Sequence, residues 1–202
     1  MSSGRRNRGT VLALAAVCLI VAAGGWLRLS NLDATNLTLE ELNHYYVGRA
    51  LAEGEGPVLP SGYRYERAIE YSALVELAGR YIESPETAVR LPSAVFGTVS
   101  LATLATGAWI MSGPGTAIIT SYLIAIYPEA VIQSRTGRFY MLQFLLGIVA
   151  LYGGWLLVGR PLRGSPLYDF IGGDDRREWR LRLLGGLAAG LALLLATAQQ
   201  ET

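Results

Sequence analysis

The chain has 202 residues, of which 51% are apolar and only 16% charged, with a formal net charge of +1. Its apolar runs come close to the roughly 20 residues a helix needs to cross a bilayer, which argues against a soluble globular domain, and the near-neutral balance leaves no global basic field of the kind nucleic acid attracts. All 17 basic residues are Arg, and the single Cys18 excludes a disulfide framework and any Cys-based metal site.

The first apolar run extends from about Val11 to Leu29 and follows Arg5, Arg6 and Arg8. Its length, and Trp26 as an interfacial anchor, favour a first span over a cleaved leader ending near Ala22-Ala23-Gly24. Loop 30–87 comes next, and its acidic residues outnumber its arginines. Within it Thr38-Leu39-Glu40-Glu41 is a capping-box pattern, in which the Thr38 hydroxyl and the Glu41 carboxylate satisfy the free N–H groups of a helix start. Leu39, Leu42, Tyr46 and Ala50 then share one helical face, and Gly54 is a stop signal. The stretch from Gly54 to Gly62 turns the chain. A second amphipathic pattern between Glu66 and Ile82 gathers Ile69, Ala73, Leu77 and Tyr81 on one face. Two such helices would lie on the membrane surface or cap a bundle. His44, the single histidine, reads as a solvated surface side chain; its helical spacing from Glu40 and Glu41 would also let the three share a divalent metal.

Further spans are expected near 88–111, 116–132, 139–158 and 183–198. Ser84-Pro85-Glu86 supplies an N-cap and a proline in the first turn for the helix leading into the second span. Gly113-Pro114-Gly115 separates the second span from the third and predicts a tight hairpin. Pro92 and Pro128 suit kinks or helix starts. Glu129 would be costly in lipid and is expected to face the bundle or water, as a candidate for acceptor or metal binding. The fold class that follows is all-α, a polytopic membrane helix bundle of about five spans with amphipathic helices in the first extracytoplasmic loop. The positive-inside rule places the N-terminus in the cytoplasm together with loop 159–182 and its Arg160, Arg163, Arg176, Arg177, Arg180 and Arg182. It leaves Arg135 and Arg138 outside, against the rule, and so marks them for attention.

The series Arg28, Glu40-Glu41, Tyr46, Ala50, Gly54, Tyr65-Glu66-Arg67, Ala88-Val89-Arg90-Leu91-Pro92-Ser93 and Phe96-Gly97 resembles the N-terminal region of polytopic GT-C glycosyltransferases. Within that superfamily it is most similar to the branch of dolichyl-phosphate-mannose protein mannosyltransferases and bacterial lipid A aminoarabinose transferases. Those enzymes carry an acidic pair, usually Asp-Glu, in the first outer loop, and here the pair would be Glu40-Glu41. Ser134-Arg135-Thr136-Gly137-Arg138-Phe139-Tyr140 is similar to their Arg-containing junction between the third and fourth spans. Gln200-Glu201-Thr202 is similar to a Lys-Glu-Thr at the outer end of the fifth. The chain departs from the pattern in having Glu as the first acid, Arg67-Ala68 where many members have Pro-Pro, and no acid soon after the Arg junction.

The resemblance implies an N-terminal portion of a longer enzyme that transfers a sugar from a polyprenyl-phosphate-linked donor to an acceptor on the extracytoplasmic face, among membrane lipids. Such a reaction needs a base for the acceptor hydroxyl and cations for the departing lipid phosphate. Glu40 is the expected base, with Glu41 second because the capping box already accounts for it; the plainer reading is that both acids favour a helix N-terminus. Arg135 and Arg138 are the expected phosphate ligands, with Arg64 and Arg67 behind them, and snorkelling to lipid headgroups is the plainer alternative. A divalent metal, if used, would draw on Glu40, His44 or Glu129. Two other classes compete. A transporter subunit would place ionisable residues or broken helices at mid-bilayer, and a noncatalytic membrane assembly protein would tolerate changes at Glu40.

Overall fold

A backbone surrounded by hydrocarbon must satisfy its own polar groups, and helices do so within one segment. The computed structural model describes residues 3–158 and 175–198. Arg160, Arg163 and the Gln200-Glu201-Thr202 ending lie outside the described residues. Within them the structure is helix and connecting loop, with one isolated antiparallel bridge between Val58 and Arg64. Among the described residues four helices are long and apolar enough to cross a membrane, namely α1 (Ser3–Leu29), α4 (Pro85–Ser112), α7 (Tyr140–Val158) and α8 (Asp175–Ala198). The expected all-α polytopic membrane bundle is what the chain forms. Helix α4 is its hub, packing on α1, on α7 and on the helical segments 114–126 and 128–135, while α8 packs on α7.

The third expected span is not one straight helix. It consists of α5 (Pro114–Ile126) and α6 (Pro128–Arg135), which meet at an angle of 58°, so that a fifth crossing exists only if the bent pair is counted as one span. Pro128 is the cause: it has no N–H to continue the ladder, and it forces Tyr127 into an extended conformation at φ −62° and ψ 115°. Arg28, buried in the last turn of α1, covers the carbonyls this break exposes. Its Nη1 donates to Gly24 O at 2.8 Å and Ala125 O at 3.2 Å, and its Nη2 donates to Ile124 O at 2.9 Å. The break therefore lies level with the end of α1, not midway along the bundle.

Loop 30–87 folds over the end of the bundle where α1 stops and α4 begins. It contains α2 (Leu39–Glu53) and α3 (Ile69–Gly79), which pack on each other and on α4. The capping box forms as expected: Thr38 Oγ1 accepts from Glu41 N, and Glu41 Oε2 accepts from Thr38 N at 2.8 Å. Gly54 ends α2 at φ 80°, in the left-handed region. Ser84 caps α4 through Thr87 N, and Gly113 makes the tight α4–α5 turn.

The buried faces of the two loop helices coincide with the apolar patterns only in part, at Ala50 of α2. Helix α2 buries Glu41, His44, Val47, Gly48 and Ala50, leaving Leu39 76% exposed. Helix α3 buries Tyr71, Ser72 and Val75, while Leu77 is exposed and Tyr81, just beyond the helix, is 84% exposed. Small residues explain the choice, because the helices approach closely only where side chains are short. A Cβ on Gly48 would lie 2.6 Å from the Ser72 carbonyl oxygen. Helix α3 also starts later than expected, because Ala68 adopts a left-handed conformation at φ 50° and ψ 52°. Its methyl group is buried among Tyr71, Val75, Val89 and Phe139, which offsets a backbone cost of about 1–2 kcal/mol for an L-residue in that region.

Gly48→Ala is therefore expected to destabilise the protein by about 1–3 kcal/mol, because the clashing atom is backbone and cannot rotate away. A lowered thermal-unfolding midpoint in detergent checks this; an unchanged midpoint would mean that α2 and α3 do not pack through this contact.

Candidate functional site

Two neighbouring carboxylates on the first turn of α2 end in opposite environments. Successive helical residues point about 100° apart, so if Glu41 faces the bundle, Glu40 cannot. Glu41 is 1% exposed, and Arg90, in the second turn of α4, is 5% exposed. Arg90 Nε donates to Glu41 Oε1 at 2.8 Å and Nη2 to Oε2 at 3.1 Å. The remaining guanidinium hydrogens go to carbonyls of the α1–α2 linker, Nη1 to Leu32 at 2.7 Å and Thr35 at 2.8 Å, and Nη2 to Asn36 at 2.9 Å. The carboxylate also accepts from the backbone N–H groups of Thr38 and Gly137, both at 2.8 Å. Gly137 is required for this approach, since a Cβ there would lie 3.1 Å from Glu41 Cγ and closer still to Val89.

Burial alone would raise the Glu41 pKa. Arg90 and the Thr38 and Gly137 N–H groups outweigh it and bring the carboxyl down to about 2. With four donors on its two oxygens, Glu41 has no acceptor position free for a substrate proton. It fastens α2, α4, the α1–α2 linker and the α6–α7 junction to one another.

Arg135 is committed in a similar way. Its Nη1 donates to Leu27 O at 2.8 Å and Ser30 O at 2.6 Å, and its Nη2 to Asn31 O at 3.0 Å. These are open carbonyls at the C-terminal end of α1, where a cation also complements the helix dipole. Asn31 turns the chain away at φ 50°.

Arg138 is placed differently. Its Nε comes within 2.8 Å of Glu40 Oε2, with 30% of the Arg138 side chain and 48% of the Glu40 side chain open to solvent. The contact is an ion pair without hydrogen-bond alignment. The Arg138 guanidinium lies 5.8 Å from the Tyr140 ring, and that of Arg67 lies 4.9 Å from the Phe139 ring. Below them His44 meets Tyr65, Tyr71 and Phe139 edge-on at centroid distances of 5.5, 5.0 and 6.1 Å, and its Nδ1 is 3.0 Å from Ser72 Oγ. His44 is thus an interior side chain, not the solvated one its polar neighbours suggest. Burial, aided by the charges of Arg67 and Arg138, brings its pKa down to about 4. Burial also raises the Tyr65 phenol, with Arg67 and Arg138 opposing and Glu40 and Tyr140 adding to the rise. Glu40, Tyr65, Arg67, Arg138 and Tyr140 accordingly share one electrostatic environment over an aromatic floor.

The other candidates lie apart from this cluster. Arg64 pairs with Glu66 at 2.9 Å on the exposed hairpin around the Val58–Arg64 bridge. Glu129, in the first turn of α6, is exposed and accepts from Gln133 Nε2 at 2.6 Å. It lines a groove of about 330 Å³ whose other walls include Ile124, Tyr127, Tyr140, Met141 and Phe144. Tyr140 belongs to both the groove and the charged cluster. The donor set for a divalent metal does not assemble: among the described residues no three His, Cys, Asp or Glu side chains converge on one point. Glu41 is saturated, His44 turns to Ser72, and Glu129 is paired with Gln133.

Arg90 and the aromatic floor are the parts that sequence reasoning missed. The signal for Arg90 was an isolated cation in an otherwise apolar helix; Tyr65, Phe139 and Tyr140 each adjoin or lie near an arginine in the sequence, but only packing joins them. Compared with known protein families, curated proteins and solved structures, the chain matches none.

Glu41→Gln removes the counter-ion of a buried guanidinium and is expected to cost about 3–5 kcal/mol of stability, read as a lowered unfolding midpoint; a neutral result would refute the fastening role. Stability should also follow pH. His44 has its pKa depressed from the ordinary 6.5 to about 4, so the unfolded chain takes up the proton first. Its contribution is full above 6.5 and is lost as pH falls toward 4; that of Glu41 is lost from about 4.5 down toward 2. Unfolding midpoints measured against pH should show this decline, with His44→Asn flattening the segment between pH 6.5 and 4.

Proposed function

We propose that this chain is the base-supplying and phosphate-binding part of a glycosyltransferase that moves a sugar from a polyprenyl-phosphate carrier to an acceptor on the extracytoplasmic face. The observation that carries this reading is the division of labour in the acidic pair. Glu41 is consumed by structure, while Glu40, one residue away, stands half open to solvent against Arg138, and Arg67 stands over the Phe139 ring. The arginine bias of the sequence orients the chain with its N-terminus in the cytoplasm and loop 30–87 outside, so the cluster faces the extracytoplasmic side.

In the proposed reaction the acceptor hydroxyl oxygen bonds to the anomeric carbon, the bond from that carbon to the phosphate oxygen breaks, and polyprenyl phosphate departs. The acceptor proton goes to Glu40. Arg138 and Arg67 face the phosphate and stabilise the charge it gains on leaving. Ile124, Met141 and Phe144 offer the adjoining groove to the isoprenoid chain, and Tyr140 links groove and cluster, so one amphiphile can occupy both. The fit to a metal is poor, and no step is assigned to one.

The broken α5–α6 pair is the feature a transporter reading would use. Its open carbonyls at Ile124 and Ala125 are taken by Arg28, level with the end of α1, which leaves little there for a transported ion.

In membranes carrying the full-length protein and a labelled polyprenyl-phosphate sugar, Glu40→Gln should reduce transfer by about 10²–10⁴-fold with an unchanged unfolding midpoint. Retained transfer would remove Glu40 from the mechanism. The two junction arginines should separate in the same assay: Arg138→Ala raises KM for the donor without loss of stability, whereas Arg135→Ala lowers the unfolding midpoint because it uncovers carbonyls at the end of α1.

A further inference from the structure

The contrast between the two acid–arginine pairs bears on how the proposed site works. Glu41 is buried and receives four aligned donors. Glu40 has a single ion-pair contact to Arg138 Nε, and that N–H is without an aligned acceptor although it is shielded from solvent. Exposed pairs of this kind are worth little, at most about 1 kcal/mol. A second guanidinium, that of Arg67, stands over Phe139 on the same floor. Arg138 lies over the ring of Tyr140, which packs against Phe139 at a centroid distance of 4.8 Å, so the two guanidiniums stand over adjoining rings. A phosphate presents more charge and more acceptor oxygens than a carboxylate and matches the guanidinium fork.

We infer that Glu40 and the carrier phosphate compete for Arg138, so that seating the phosphate between Arg138 and Arg67 releases the Glu40 carboxylate. This rests on the glycosyltransferase reading and deepens it. With no carrier bound, Arg138 holds the Glu40 carboxylate in an ion pair. Once the phosphate takes Arg138, the freed carboxylate is open to accept a hydrogen bond from the acceptor hydroxyl. The base is thus presented only when a donor is in place, and no backbone movement is needed, because Glu41 and Arg90 keep α2 and the α6–α7 junction fixed.

The ligand chemistry is a phosphate anion, borne by a lipid or free, and the test separates the two. Binding of polyprenyl phosphate is measured with the full-length protein in neutral phosphatidylcholine nanodiscs, with inorganic phosphate alone as the second arm. Glu40→Gln should bind polyprenyl phosphate about two- to fivefold more tightly than the unmodified protein, and Arg138→Ala should bind it at least tenfold more weakly. Glu53→Gln, which removes the same charge in the last turn of α2, should leave binding unchanged. If Glu40→Gln binds no more tightly while Arg138→Ala still weakens binding, the competition is overturned and the phosphate site stands. If Arg138→Ala has no effect, both the competition and the site fall. Equal tightening by Glu53→Gln would reduce the effect to net charge and overturn the inference. Inorganic phosphate should show the same order of variants at weaker affinity; affinity equal to that of the lipid would overturn the lipid as the source.

Discussion

Arg90 and Glu41 form a buried ion pair in which every guanidinium hydrogen and both carboxylate oxygens are used. Taking two charges out of water is expensive, and such a pair contributes only when its geometry is complete. Here completeness comes from four segments at once: the linker after α1, the first turn of α2, the second turn of α4 and the turn before α7. The pair holds loop 30–87 in register over the bundle. It also settles the direction of Glu40, because the next residue on a helix cannot share the buried face.

Arginine does most of the joining at this end of the molecule. Arg28 covers carbonyls where α5 breaks, Arg135 covers those where α1 ends, and Arg90 gathers those of the linker. Helix ends leave carbonyls without partners, and at a membrane boundary water is a less dependable substitute. A planar fork with several donors meets two or three carbonyls from one position, which a lysine ammonium does less well. Arg28 and Arg135 act reciprocally, one reaching from α1 to α5 and the other from α6 to α1. Against this background Arg67 and Arg138 stand out, since their contacts are two aromatic faces and one misaligned carboxylate.

The floor under those two side chains is built to stay still. His44, Tyr71 and Phe139 are buried, with Tyr71 Oη bonded to the Val89 carbonyl at 2.9 Å. Ala68 holds a left-handed conformation there, directly after Arg67, and its buried methyl group keeps it in place. Strained backbone of this kind persists where surrounding packing over-determines it. A rigid apolar floor beneath partly solvated charges allows the charges to rearrange around a ligand while the loop does not.

Apolar run length and punctuation made the class legible in the sequence. Runs near the thickness of a bilayer, the Thr38–Glu41 capping box, the Gly54 stop, the Ser84 cap and the Gly113 turn are all local signals, and each formed where expected because its chemistry is satisfied within a few residues. Pro128 was legible as a kink or helix start but not as a 58° bend, since a missing N–H marks where a helix breaks and not the angle at which the next one leaves. Of the apolar positions that periodicity grouped in the loop helices, Ala50 is buried while Leu39, Tyr46, Leu77 and Tyr81 are exposed, because tertiary packing chose the small and polar faces around Gly48, Ser72 and Glu41. Tertiary structure alone decided which acid and which arginines remained open. Glu40 and Glu41, like Arg135 and Arg138, are near-equivalent in sequence, and they differ only in whether a partner distant in the chain, Arg90 or the end of α1, lies within hydrogen-bond reach.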